Sequence, residues 1–574
     1  MNRSETVTVS SLYEWRIQPS MPVSVMDALA VYPRILQRLL YNRGIRTQAE
    51  ANIYLQQSGS LYDPFLYGGL KEAVKIIFSE IDEGNPIVVY GDYDVDGVTA
   101  TTILVQVLRK LGAKVKGYIP NRFEEGYGLN KEALKSLYSE GTKLIITVDC
   151  GIRSPAETQY GKELGMKMII SDHHDPAEKI PDADAVICAK KPGDLYPDKN
   201  LAGAGIAYKI AEALLSSRPV AGAEAEDWID LATLGTVADI VPLTGENRSL
   251  VKRGLQKLQT SSRPAIIALS EIGGFHLSDF SASTIGYSIG PRLNAAGRLE
   301  TATLSLNLLL SQDLASARVL ASQLDDQNKQ RQVLTRDIEE KVSGKIKTRY
   351  GQEIPTLIAD CDPAFNMGVV GLAASKLTEA YYRPAIVGAK GDESTRASCR
   401  SIPEFHITNA LNECADLLER FGGHAMAAGF TVKNENWDKL IDRLKDITQE
   451  RLGSVKLQPT RTADMEITLD YLDESLLTMI QELEPNGQMA PEPVFLVRNL
   501  RPVSVRPVGN DQKHLKLNFS SDSQREMSGI AFRQGFWAGN LPQKVDILCN
   551  FEKNTYQGRD SLQLNVLDIR PSSE

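Results

Sequence analysis

The chain has 574 residues, 42% hydrophobic and 24% charged, values near globular averages that exclude a disordered, collagen-like or fibrous protein. At ~150 residues per domain, this length implies three to four domains. With 64 Lys and Arg against 73 Asp and Glu, the net charge is −9 and there is no global basic field, so any contact with a polyanion has to be local. The six cysteines, Cys150, Cys188, Cys361, Cys399, Cys414 and Cys549, form no CxxC pair, which argues against a disulfide scaffold or a thiolate zinc site and fits a reducing cytoplasm. The opening MNRSETVTVSSLYEWRIQP lacks the apolar core of a signal peptide, and no run of about 18 apolar residues follows it. A soluble, cytoplasmic protein without membrane contact is the expectation.

In chain order, residues 1–86 read as a helical N-terminal segment, with apolar residues at helical spacing in MDALAVYPRILQRLLYNRG and KEAVKIIFSEIDEG. From Ile87, short apolar runs (IVVYG, KVKGYIP, KLIITVD, MKMIISD, DAVICA) alternate with helical stretches such as GVTATTILVQVLRKLG and ETQYGKELG. That alternation predicts an α/β domain over 87–241, built on a parallel sheet covered on both faces. Residues 242–350 form a helical linker region, in which DLASARVLASQLDDQNKQRQVLTRDIEEKV reads as one long solvated helix of the kind that joins two lobes. A second α/β domain is expected over 351–455, from TLIAD, VVGLAASKLTEAY and RPAIVGA. Over 457–574, short strands with turn signals predict a small β-barrel or sandwich, and 494–574 holds 11 Lys or Arg against 8 Asp or Glu.

The chemistry concentrates at strand ends. GDYDVDG places Asp92, Asp94 and Asp96 directly after an apolar strand, where the ligand crevice of an open parallel sheet lies. Three like charges so close repel unless a cation or hydrogen bonds compensate them. An EF-hand calcium loop fails, because Ile103 stands where the twelfth-position Glu is required. LIITVDCG ends a second apolar run on Asp149, and MKMIISDHHDP ends a third on Asp172, His173, His174 and Asp175, in a chain with six histidines. DLATLGTVADIVPL sets Asp239 among apolar residues, a costly position unless the carboxylate is paired or metal-bound. Together Asp94, Asp96, Asp149, His173 and Asp239 make an oxygen-rich shell with one nitrogen, which favours Mn2+ or Mg2+. Two such ions suit hydrolysis of a phosphate ester. No P-loop, dinucleotide GxGxxG or GxSxG elbow is present, so NTPase, dehydrogenase and acyl-enzyme chemistry are unsupported.

GDYDVDG, TVDCG, SDHHDP and TVADIVPL resemble, in order, the four motifs of the DHH-superfamily phosphoesterases, and FGGHAMAAGF resembles the glycine-rich motif of the DHHA1 domain. Within that superfamily the likeness is to the RecJ family of single-strand-specific exonucleases, whose SIGPRLNAAGRL and SCRSI segments also match. The resemblance implies a DHH domain and a DHHA1 domain joined by a long helix, plus an OB-like C-terminal barrel. It further implies metal ligation by Asp94, Asp96, Asp149, His173 and Asp239, with Asp149 bridging two Mn2+ or Mg2+ ions, His174 beside the scissile phosphate, and Asp92 supporting the shell.

On the same grounds Arg122, Arg298, Arg400 and His424 match positions facing nucleic acid, and arginine suits phosphate through its planar fork. The implied activity is 5′–3′ digestion of single-stranded DNA to 5′-mononucleotides in repair and recombination, with a single-strand-binding protein and a RecQ-type helicase as family partners. Basic residues of the barrel and the aromatics Phe519, Phe532, Phe536, Trp537 and Tyr556 are expected to hold the strand by charge and stacking. Two departures from the family pattern stand out: Asn366-Met367 in FNMGVVGLAAS, and PNGQMAPEPVF in place of a glycine-rich turn. Two other readings compete, a DHH–DHHA1 phosphodiesterase of short oligonucleotides or cyclic dinucleotides, and a non-catalytic DNA-binding scaffold.

Overall fold

The computed structural model describes residues 11–55, 61–126, 128–351, 353–509, 511–556 and 559–572, with side chains at all of these but 555, 556 and 559. The chain divides into two compact units: Ser60–Leu457, and a second formed by Met1–Gly59 together with Gln458–Glu574.

The larger unit opens with a five-stranded sheet of β1 (Pro86–Tyr90), β2 (Lys114–Tyr118), β3 (Leu144–Thr147), β4 (Lys167–Ser171) and β5 (Ala185–Ile187). All pairings are parallel and the order is β2-β1-β3-β4-β5. The central strands read as unbroken apolar runs because both faces are covered; every residue of β3 is buried. Helices α1 (Val95–Lys110), α2 (Gly203–Ser217) and α3 (Ile229–Ala238) pack on one another in this layer. Beyond them come α4 (Gly290–Leu299) and α5 (Leu314–Tyr350), whose 37 residues span about 55 Å. Buried Ala317, Ala321, Leu324, Asp325, Asn328, Thr335, Ile338, Val342 and Ile346 form a single narrow stripe along α5, and the rest of its surface is mainly polar, with Val319 and Val333 exposed. The stripe serves two lobes: its first half packs against α4, and Ile338, Val342 and Ile346 join Phe365, Val370 and Leu377 in the core of the next domain.

That domain carries β6 (Ile358–Asp362), β7 (Ala385–Lys390), β8 (Ser394–Arg400), β9 (Leu418–Gly423) and β10 (Ala427–Lys433) in the order β9-β10-β8-β7-β6. Only β6 and β7 are parallel; the other pairings are antiparallel hairpins and returns.

In the smaller unit, β11 (Phe495–Val508), β12 (His514–Ser520), β13 (Glu526–Ala531), β14 (Val545–Tyr556) and β15 (Arg559–Pro571) close into a five-stranded barrel through the β11–β14 pairing. The helical segment expected over 1–86 is not one piece. A strand, Glu14–Ile17, pairs in parallel with Thr460–Ala463, and the helix Arg34–Asn42 sends Leu36, Leu39 and Leu40 into the core that also holds Leu517, Phe519, Trp537 and Ile547 of the barrel. The helix Leu70–Asp82, by contrast, packs on β5 and α2 of the larger unit. Helical periodicity says which face is apolar, not what will cover it. Two of the expected stacking residues are corrected by the same core: Phe519 and Trp537 are buried in it. Phe532 and Phe536 are 55% and 41% exposed, and the side chain of Tyr556 lies outside the described residues.

Candidate functional site

The chain runs from β1 out to β2 on one side and returns to β3 on the other side of β1, so a crevice opens between the C-terminal ends of β1 and β3. Asp92, Asp94 and Asp96 follow β1, Asp149 follows β3, and Asp172, His173 and His174 follow β4. Asp239 ends α3. These residues converge. His173 Nε2 lies 3.0 Å from Asp149 Oδ1, 3.5 Å from Asp239 Oδ2 and 3.8 Å from Asp96 Oδ2, and His174 Nδ1 lies 3.9 Å from Asp149 Oδ1.

Backbone groups hold the carboxylates in place. Asp94 caps α1, its Oδ1 accepting from the amides of Asp96 (2.9 Å) and Gly97 (3.1 Å). Asp96 accepts from two amides at the start of α2, Gly203 N at 2.6 Å and Ala204 N at 2.8 Å. Side chains have no room there: a Cβ on Gly203 would stand 2.6 Å from Asp149 Cβ, and one on Gly235 2.6 Å from Asp96 Oδ1. Asp149 adopts φ 61°, a left-handed conformation that a non-glycine residue keeps only when its surroundings hold it there.

Asp172 carries no assigned role in the sequence motif, and the structure supplies one. Its Oδ2 accepts from Ile152 N at 2.9 Å; its Oδ1 accepts from His173 N at 2.8 Å and His174 N at 3.1 Å, and sits 2.8 Å from His174 Nδ1.

Burial and mutual repulsion dominate the electrostatics. Burial followed by the Asp94 charge pushes Asp96 up to about 7, and burial with Asp96 and Asp94 pushes Asp239 up to about 9. Asp92 and Asp149 are raised for the same reasons. Burial, with help from His174, lowers His173 to about 3, leaving the neutral imidazole that a metal requires. Asp172 is the exception: burial works to raise it, but the hydrogen bonds from His174 and the Ile152 amide prevail and hold it below its ordinary value. Burial likewise opposes the charge on His174, and Asp172 overcomes it and raises the imidazole.

Three sets of donor atoms lie within the span of one ion each: Asp92, Asp94 and Asp149; Asp96, His173 and Asp239; and Asp149, His173 and His174. Asp92 Oδ1 and His173 Nε2 are buried with no hydrogen-bond partner among the described residues, a costly arrangement that a cation would relieve. The oxygen-rich donor set fits Mn2+ or Mg2+. Asp92 therefore stands among the groups able to ligate, rather than only behind them.

An arginine cluster adjoins the acids. Arg122, in the loop after β2, stacks its guanidinium 5.0 Å from the Tyr93 ring. Arg298, near the end of α4, is lowered to about 10 by burial and by Arg122 and Arg331, with Arg400 adding to the effect and Asp94 opposing it. Arg400 ends β8, so both lobes of the larger unit contribute. A side chain at Gly368 would collide with the Arg298 carbonyl, and Asn366 Oδ1 caps the Gly368 amide at 2.8 Å, which makes Asn366 the former of this close turn. Sequence alone misses Arg331, because one arginine on a polar helix carries no signal. His424 lies exposed in the β9–β10 turn, its backbone carbonyl accepting from Thr408 Oγ1 at 2.6 Å.

Three family models match successive parts of the chain. The DHH family N-terminal domain matches residues 86–236, the DHHA1 domain 353–450 and the RecJ OB domain 463–568. The single-stranded-DNA-specific exonuclease RecJ of Bacillus subtilis is 36% identical over 572 residues, covering 98% of this chain and 72% of that protein. The Escherichia coli RecJ is 34% identical over 567 residues, covering 95% and 97%. A crystal structure of Thermus thermophilus RecJ in complex with Mn2+ superposes with a TM-score of 0.83 at 30% identity, covering 98% of this chain and 80% of that one. A second structure of the same protein holds Mg2+. With the motifs, the converging acids and full-length likeness in agreement, the chain belongs to the RecJ family of DHH phosphoesterases.

Proposed function

We propose that the chain is a metal-dependent exonuclease that hydrolyses single-stranded DNA from the 5′ end and releases 5′-mononucleotides, in DNA repair and recombination. The observation that carries this reading is the meeting of Asp149, Asp96, Asp239 and His173 within 4 Å of one imidazole nitrogen, from four segments far apart in sequence. A bound pair of divalent ions supplies Lewis-acid polarisation of the phosphoryl oxygens and an acidified water. Asp94, Asp96, Asp149, His173 and Asp239, joined by Asp92, would hold those ions.

The remaining chemistry falls to the chain's own groups. Hydrolysis breaks the P–O3′ bond, leaving a 3′-hydroxyl on the released nucleotide and a new 5′-phosphate on the strand. His174, engaged at Nδ1 by Asp172, keeps Nε2 for that phosphate or its departing oxygen, as a charged hydrogen-bond donor. Asp172 fixes its tautomer and orientation. Arg122, Arg298 and Arg400 neutralise backbone phosphate, so binding weakens with salt. Cytoplasmic location, a single-strand-binding protein and a RecQ-type helicase as partners belong to the same proposal; no helix among the described residues is long and apolar enough to cross a membrane.

Single-stranded DNA labelled at either end, incubated with Mn2+, tests the reading. A 5′ label is expected to appear at once as mononucleotide and a 3′ label only late, and Asp149→Ala is expected to lower turnover at least 1,000-fold, an order-of-magnitude expectation for a lost catalytic ligand. Equal release from both ends overturns the polarity, and an indifferent Asp149→Ala overturns the enzyme.

A further inference from the structure

The spatial order of the first sheet has a consequence for charge. Read across its C-terminal edge, the strands deliver Arg122 after β2, the three aspartates after β1, Asp149 after β3, the His173–His174 pair after β4, and Lys190 after β5. An acidic centre is thus flanked by one cation at each edge. On the arginine side the charge is gathered from several elements: Arg298 feels Arg122, Arg331 and Arg400, which come from the loop after β2, the linker helix and the second lobe. On the β5 side the neighbouring charges are those of Lys190 and Asp175.

Lys190 sits where register puts it. Ser171 of β4 pairs with Ile187 of β5, so the two chains leave the sheet side by side, and Cys188 Sγ rests 3.8 Å from the His174 carbonyl oxygen. The two adjacent lysines then part. Lys191 turns inward, donating to Gly68 O at 2.6 Å and pairing with Asp194 at 3.3 Å. Lys190 instead reaches the segment that follows β4, meeting Asp175, the residue after His174, and both His173 and Asp239 feel its charge. Its ammonium contacts Asp175 Oδ1 at 3.4 Å, a carboxylate that is 69% exposed, while the lysine side chain itself is only 30% exposed. Asp175 does not join the metal-ligating sets, and an exposed pair of this kind contributes little to stability.

From this geometry we infer that Lys190 binds the phosphate immediately downstream of the scissile one, on the strand that remains after each cut, and that Asp175 occupies the ammonium only until that phosphate displaces it. The inference rests on the exonuclease reading above and deepens it: the arginine cluster takes the end being removed, and Lys190 sets the register of the strand left behind. A lysine suits this position because it meets a moving strand as a point charge, without the fixed bidentate geometry of arginine.

The experiment uses the full-length chain loaded with Mn2+ and single strands in which one of the first three linkages is a neutral methylphosphonate. Lys190→Gln is expected to raise KM for unmodified DNA about tenfold with kcat within about twofold, and to reduce the slope of log KM against log salt by about 0.7, the amount for one phosphate contact on a single strand. Neutralising the linkage next to the scissile one should cost the wild-type chain a similar factor and cost Lys190→Gln almost nothing further, whereas other linkages should penalise both alike. Lys190→Arg should recover most of the loss. Asp175→Asn separates binding from a structural role: it should leave KM equal or lower if the lysine serves phosphate, and should mimic Lys190→Gln if the pair merely holds the loop. An unchanged KM in Lys190→Gln, a mimicking Asp175→Asn, or penalties that multiply at the downstream linkage each overturn the inference. Wild-type digestion of the unmodified strand, run alongside, reports separately on the exonuclease reading.

Discussion

Asp96 and Asp239 show how single residues are held out of their ordinary state. Each is raised, to about 7 and about 9, by burial and by neighbouring carboxylates. A carboxyl whose folded pKa exceeds its unfolded one binds protons the unfolded chain has already lost, so without metal stability is greatest below pH ~4 as far as these groups are concerned and falls as pH rises through 7 and then 9. Divalent ions bind the deprotonated form and reverse the trend. The rise in melting temperature on adding Mn2+ should therefore grow between pH 5 and pH 9, and calorimetric titration in two buffers of different ionisation enthalpy should show proton release that diminishes toward pH 9. A metal-induced shift independent of pH, with no proton release at pH 6, contradicts the assignment of these carboxyls as ligands. Asp172 works in the other direction: hydrogen bonds from Ile152, His173 and His174 hold its carboxyl below its ordinary value in spite of burial, and it in turn raises the His174 imidazole.

The elements carry their own constraints, and glycine makes them visible. At Gly235 in α3, a methyl group would stand 2.5 Å from Ala204 Cβ and from Thr99 Oγ1 and 2.6 Å from Asp96 Oδ1, so α1, α2 and α3 approach at the point where Asp96 is clamped. Gly235→Ala should cost about 1–3 kcal/mol through overpacking and should displace Asp96, lowering Mn2+ affinity and turnover by more than the stability loss explains. Gly344 lies in exposed α5 with nothing within 4 Å of its would-be Cβ. There the same change should stabilise by roughly 0.5–1 kcal/mol, through helix propensity and a less mobile unfolded chain, and leave activity alone. Thermal unfolding and steady-state kinetics on the pair decide this; similar effects at both sites would mean that the close packing around Asp96 is not what matters.

On the scale of the whole molecule, the chain's two ends fold together. The strand Glu14–Ile17 pairs with Thr460–Ala463, and Leu36, Leu39, Leu40 and Tyr54 share a core with the barrel. A truncation at residue 457 that keeps the N-terminus would strand this apolar face and is expected to aggregate, whereas residues 60–457 correspond to a compact unit with its own cores. That shorter chain is expected to remain folded and to bind Mn2+ with near-full affinity, and to lose affinity for long single strands that the exposed Phe532, Phe536 and basic residues of the barrel would otherwise hold. Size-exclusion chromatography and strand-length-dependent KM test both halves of the statement. Undiminished affinity for long strands would remove the barrel from substrate binding.

Much of the centre was legible in the linear chain because its signals are local. An apolar run ending in aspartate or histidine identifies a strand and its crevice end together, and Asp92, Asp94, Asp96, Asp149, His173, His174 and Asp239 all come to one place as those patterns imply. The long helix and the parallel sheet were legible for the same reason, since hydrophobic period is a property of neighbouring residues. What only the tertiary structure decided depends on partners far away in sequence. Phe519 and Phe532 belong to one strand-rich region, yet one is core and the other is exposed. Arg331 and Lys190 look like any surface cation until helix packing brings the first near enough to Arg298, and strand order the second near enough to Asp239, for its charge to be felt there. The helix Arg34–Asn42 shows an apolar face without naming its cover, which lies more than 400 residues along the chain. Periodicity encodes which way a side chain points, whereas the identity of what it meets is set by how the elements pack.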